Sequence, residues 1–133
     1  MIVIDASALA ELLTNANGAA LRVRDVLAAD TEWIGPEHLL VETASALRGL
    51  WLGGITTDAE FTNQLDTLGS LRIASIPFRL LLPRVRELAA NATSYDAAYL
   101  AAAEHLRCRL VTLDSKLARV PGSPADVHLI ERR

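Results

Sequence analysis

The chain has 133 residues, 51% of them hydrophobic and 22% charged, a balance that belongs to one folded domain over residues 1–133 and excludes a disordered segment. A formal net charge of −3 excludes a protein that holds nucleic acid by bulk positive potential alone. No apolar run approaches the roughly 18 residues of a membrane span and the first residues carry no basic, cleavable leader, so a cytoplasmic protein without membrane contact is expected.

The short apolar run Ile2 to Ile4 predicts a strand buried on both faces, as in a parallel sheet covered by helices. Ala8 to Leu13 reads as a helix broken at Asn15, Asn17 and Gly18. Ala19 to Ala29 resumes helical spacing, with Leu21, Val26 and Leu27 expected inward and Arg22, Arg24 and Asp25 outward. Glu32 to Ile34 predicts a second strand. Pro36 suits the first position of a third helix, which runs to about Leu52 and stops at Gly53 and Gly54.

Thr57 with Glu60 three residues on is a capping-box signature for a helix that presents Phe61, Leu65 and Leu68 on one face. A strand over Leu71 to Ile76 and a helix over Phe78 to Ala90 follow, with Pro83 tolerated as a kink or in a first turn. Thr93 opens an alanine-rich helix through Glu104. Leu110 to Leu113 reads as another buried strand, and Val127 to Ile130 as a last short one beyond the Pro124 loop. Strands alternating with helices predict a three-layer α/β/α sandwich with a mainly parallel central sheet. Cys108 is the sole cysteine, which excludes an internal disulfide, and its neighbours Leu106, Leu110 and Val111 suit a buried structural thiol.

Four carboxylates stand out. Asp5 follows the first strand and Asp114 the fourth, and parallel strands all finish on one edge, where ligands of open α/β sheets bind. Asp96 begins a helix whose start lies toward that edge, and Glu42 occupies a largely apolar helix face between Leu39 and Ala46. Each has an ordinary alternative: Asp5, Asp96 and Asp114 could act as helix caps, and Glu42 could simply reach solvent. Clustering is expensive, however, because two ionised carboxylates about 6 Å apart at an effective dielectric near 20 repel by roughly 3 kcal/mol. A cation relieves that repulsion, and an oxygen-only donor set suits Mg²⁺ or Mn²⁺, ions that act on phosphates. Two such ions would bring the formal charge from −3 to +1, so a loaded form need not repel a phosphate chain. Lys116 is the only lysine; the other cations are arginines, which can grip phosphate in a bidentate fork. His38, His105 and His128 are expected to be structural or solvent-exposed.

These residues resemble the PIN-domain ribonucleases, and in particular the VapC-type toxins of bacterial toxin-antitoxin pairs. The resemblance covers nearly the whole chain: Ile4-Asp5-Ala6-Ser7-Ala8, Val41-Glu42, the run from Ser94-Tyr95-Asp96 to Ala101, and Leu110-Val111-Thr112-Leu113-Asp114. By position, Asp5, Glu42, Asp96 and Asp114 look like the family's acidic quartet, with Ser7 and Thr112 resembling its supporting hydroxyls. The resemblance implies metal-assisted hydrolysis of RNA phosphodiesters with one or two Mg²⁺ or Mn²⁺ ions held by the quartet. It also implies a homodimer and a small VapB-type antitoxin that occupies a groove and the active site. Apolar Trp51, Leu52, Phe61 and Leu65 agree with a protein interface and equally with core packing.

Two other readings compete. A haloacid-dehalogenase-type phosphatase needs a second aspartate two residues after Asp5, where this chain has Ser7, and the paired acids and phospho-accepting aspartate of a receiver domain are not evident. A catalytically silent PIN-like binding module remains as the alternative, although a pure scaffold gains nothing from mutually repelling acids.

Overall fold

The computed structural model describes residues 1–14 and 18–132. Five parallel strands form the sheet: β1 (Ile2–Ile4), β2 (Trp33–Pro36), β3 (Ile73–Ile76), β4 (Arg109–Thr112) and β5 (Val127–Leu129), in the order β3-β2-β1-β4-β5. The helices are α1 (Ala6–Thr14), α2 (Gly18–Ala28), α3 (Leu39–Leu52), α4 (Asp58–Ser70), α5 (Phe78–Leu88), α6 (Ser94–Leu106) and the short α7 (Ser115–Ala118). They flank the sheet as the expected α/β/α arrangement, with α1 against α2 and α3, α3 against α4, and α5 against α6. The expected break at Asn15 and Asn17 lies outside the described residues.

The strand order explains where a site can form. From the central strand β1 the chain builds outward through β2 and β3, then returns to place β4 and β5 on the other side. Strand order therefore reverses between β1 and β4, and the crevice beyond the carboxyl ends at such a reversal is the usual binding place in open α/β sheets. Register makes the pairing specific: Ile4 pairs with Val111, and the Asp5 amide donates to the Val111 carbonyl at 3.1 Å. Asp5 and Thr112 thus leave adjacent strands side by side.

Burial holds this edge rigid. Val3, Ile4, Leu110 and Val111 are fully buried, in keeping with a central parallel pair that reads as continuous apolar sequence. In α6 the seven residues Ala97 to Ala103 are all buried, so alanine lets this helix approach β1, β2 and β4 closely. The Thr57–Glu60 capping box is present in both halves.

Four expectations are corrected. Pro36 ends β2, paired with Ile76, rather than opening α3; at a strand's last position its missing amide proton costs little, and α3 begins only at Leu39. Leu21 is exposed while Val23 takes the inward position, because α2 turns its Ala19, Ala20, Val23 and Leu27 stripe to the core. Leu65 is likewise exposed, and the buried face of α4 carries Gln64 and Leu68. The first helix starts at Ala6, two residues before the expected Ala8, because Asp5 caps it.

Candidate active site

Asp5 is 4% exposed and both its carboxylate oxygens are engaged. Oδ1 accepts from the Ser7 hydroxyl at 2.7 Å and the Ala8 amide at 2.9 Å, and Oδ2 accepts from the Thr112 hydroxyl at 2.5 Å. The capping role is therefore real and coexists with a placement at the strand edge. Burial pushes the Asp5 carboxyl up to about 6; donors from Thr112, Ala8 and Ser7 pull it down, and the charge of Asp114 pushes it up further.

Ser7 and Thr112 join the two strands. The Ser7 hydroxyl accepts from the Leu113 amide at 3.0 Å while donating to Asp5, and the Thr112 hydroxyl accepts from the Asp114 amide at 2.9 Å. Thr112 is fully buried, so its hydroxyl has a fixed course. Asp114 caps α7 through a 2.9 Å bond from the Lys116 amide, which satisfies the bland expectation for it as well.

Asp96 and Glu42 reach the same edge from the helices. Thr93 accepts from the Asp96 amide at 3.2 Å, but only this half of a capping box forms, so the Asp96 carboxylate is not tied back to the helix start. Burial raises the Asp96 carboxyl above its ordinary value; Asp114 and Glu42 raise it too, against Lys116 and His38. Glu42 lies beside the buried stripe Leu39, Thr43 and Leu47, while Ala46 of its expected apolar face is exposed. Its Oε1 accepts from the Tyr99 hydroxyl at 2.8 Å and sits 3.1 Å from His38 Nε2, without the alignment of a hydrogen bond to that ring.

The charge of Asp114 bears on both Asp5 and Asp96, and that of Glu42 on Asp96, but among the described residues no three acidic, histidine or cysteine side chains form a ready-made metal cage. The donor chemistry nevertheless fits a hard cation, because every group offered is a carboxylate or hydroxyl oxygen. The raised Asp5 and Asp96 carboxyls mark ionised forms that lack compensation, which a cation would supply.

Two participants escaped the sequence reading. His38, expected to be structural or exposed, packs its ring edge-on against Tyr95 and Tyr99 with centroids 5.4 and 5.0 Å away. Tyr99 is 2% exposed and orients Glu42. Spacing carried a faint signal for both: His38 precedes Glu42 by four residues and Tyr99 follows Asp96 by three, which puts each on its acid's helix face. Beside the acids, a groove of about 920 Å³ runs from Ser7 and Glu42 between α1, α3 and α4 toward Leu50, Ile55 and Glu60. Among the described residues no helix is long and apolar enough to cross a membrane.

A parallel sheet of order β3-β2-β1-β4-β5, with Asp5 and Asp114 following its two adjacent strands β1 and β4, defines a PIN-like protein. The chain matches the PIN domain over residues 2–123 and belongs to that family. It is 35% identical to ribonuclease VapC9 of Mycobacterium tuberculosis over 132 residues, 99% of this chain and 100% of the relative. The fold resembles that of M. tuberculosis VapC20, described as a sarcin-ricin loop cleaving toxin, with a TM-score of 0.70 at 13% identity over 91% of this chain and 95% of the other. It also resembles a chain of a toxin-antitoxin complex from Klebsiella pneumoniae, with a TM-score of 0.63 at 16% identity over the whole of both chains.

Proposed function

We propose that this chain is a one-domain, cytoplasmic endoribonuclease, the toxin of a VapBC-type pair, with Asp5, Glu42, Asp96 and Asp114 as its catalytic acids and Ser7 and Thr112 in support. The observation that carries the reading is the placement of buried Asp5 at the β1–β4 reversal, held by Ser7, Ala8 and Thr112, with Asp114 pressing electrostatically on both Asp5 and Asp96. The 35% identity to a VapC ribonuclease over 132 residues supports the choice of RNA as substrate. A silent binding module would have no use for that pressure, and a single asparagine would relieve it.

Bound by the four acids, one or two Mg²⁺ or Mn²⁺ ions supply Lewis acidity toward a phosphodiester and activation of water. The protein's own contribution is positional. Ser7, Ala8 and Thr112 fix both oxygens of Asp5, Tyr99 fixes Glu42, and Asp114 is held by the turn it caps. Ligands oriented in this way hold their geometry without reorganisation. Cys108, half-buried and with its thiol pushed up by burial, lies outside this set.

The groove between α1, α3 and α4 supports an antitoxin that covers Ser7 and Glu42 and rests on exposed Ile55, and we assign the working form as a homodimer on the family pattern. Expression in a bacterial host tests the toxin role. Growth arrest by the parent, absent with Asp96→Asn, supports it; normal growth with both contradicts it.

A further inference from the structure

A second cavity, of about 300 Å³, opens next to the acids, between the β2–α3 connection and the starts of α5 and α6. Glu37, His38, Phe78, Ser94 and Tyr95 line it. Tyr95 is 60% exposed, yet its ring is braced edge-on by His38, which in turn packs against Tyr99. An exposed aromatic held at a fixed angle is a stacking platform. The opposite wall is also fixed, since Glu37 accepts from the Phe78 amide and ties the β2–α3 connection to α5. Continuity with the acid site is direct: His38 touches Glu42, and Tyr95 precedes Asp96.

We propose that this cavity is a nucleobase subsite, in which an unpaired base beside the scissile phosphate stacks on Tyr95. The proposal rests on the ribonuclease reading and names the part of the RNA that this face takes. Single-stranded RNA is recognised by splaying bases onto aromatic side chains, with polar groups reading their edges. Here Tyr95 offers the face, and Ser94 supplies a polar lining residue. A base is neutral, so it tolerates the acidic surroundings that would repel a phosphate.

The test is cleavage of single-stranded RNA oligonucleotides with Mn²⁺ by the parent, Tyr95→Leu and Tyr95→Phe, after the scissile bond has been mapped with the parent. Loss of stacking on one base should raise KM about tenfold in Tyr95→Leu while kcat stays within about twofold, and Tyr95→Phe should behave as the parent. An abasic nucleotide at the stacked position should cost the parent about as much and Tyr95→Leu nothing further, because the two changes remove one interaction. A merely structural role would not produce that coupling. Unchanged KM in Tyr95→Leu, or additive losses at every abasic position, overturns the subsite. Weakened antitoxin binding with unaltered RNA kinetics assigns the cavity to protein contact and overturns it as well. Failure of the parent to cleave any RNA contradicts the ribonuclease reading itself, and the subsite falls with it.

Discussion

Tyr99, buried in α6, donates its hydroxyl to Glu42 in α3 at 2.8 Å across 57 residues of sequence. That bond is the link by which one helix aims an acid carried by another. Tyr99→Phe keeps the ring and its packing but frees the carboxylate. Residues that orient a metal's ligands cost about 10- to 100-fold in metal affinity or activity when replaced. We expect a loss in that range, with the thermal midpoint of the metal-free protein changed little. Titration of activity against Mn²⁺ measures it, and full activity at the parent's Mn²⁺ requirement would detach Tyr99 from the site.

The elevated Asp5 carboxyl gives the metal-free protein an unusual response to pH. Its proton is held more tightly in the folded chain, at about 6, than in the unfolded chain, near the ordinary 3.8. The stabilisation by protonation is therefore fully present below about pH 4 and is lost as pH rises through about 6. Two pKa units in a buried group correspond to roughly 3 kcal/mol. Asp5→Asn removes the effect, so in EDTA the variant should be the more stable at pH 7, with the difference closing toward pH 4. Thermal melts of both across that interval check the sign, and a gap that widens on acidification would refute it.

Divalent ions should close that gap. A ligand present at about 100 times its Kd stabilises the folded state by roughly 2.7 kcal/mol. Millimolar Mg²⁺ or Mn²⁺ should raise the Tm of the parent at pH 7 and leave Asp5→Asn nearly unmoved. Equal shifts in both proteins would place the ion elsewhere.

Gly35 explains how α3 comes so close to β2. A Cβ there would lie 2.5 Å from Leu39 Cδ2 and 3.2 Å from Leu39 Cβ, and Leu39 is itself only 2% exposed. Gly35→Ala forces the buried Leu39 side chain to repack and its Cβ to give way by a few tenths of an ångström, at the start of the turn that carries Glu42. Overpacking of this kind costs about 1–3 kcal/mol. Denaturant melts should show that loss, with a matching loss of activity because Glu42 shares that turn.

Much of this architecture was legible in the sequence. The apolar runs ending at Asp5 and Asp114 identify two parallel strands, and strands that finish on one edge bring their terminal acids together. What periodicity could not give was the direction of side chains at the margins of a stripe. Leu21 and Leu65 fit a helical face by spacing, yet the neighbouring alanines and Gln64 fill the space against the core. Pro36 obeys both a helix-start and a strand-end rule, and only its pairing with Ile76 in the sheet decides between them. His38 and Tyr99 were hidden for another reason. Their role depends on α3 and α6 meeting beside the acids, a long-range relation that no local pattern encodes.

The central claim is that the carboxylates at the β1–β4 edge do chemistry on RNA, and it is tested most directly with total cellular RNA, purified protein and Mg²⁺ or Mn²⁺. Asp96→Asn is the companion, since asparagine keeps the size of the side chain, leaves the amide bond to Thr93 in place and removes the charge. The account predicts discrete cleavage by the parent and none by the variant. Equal cleavage by both proteins, or intact RNA with both, would contradict it.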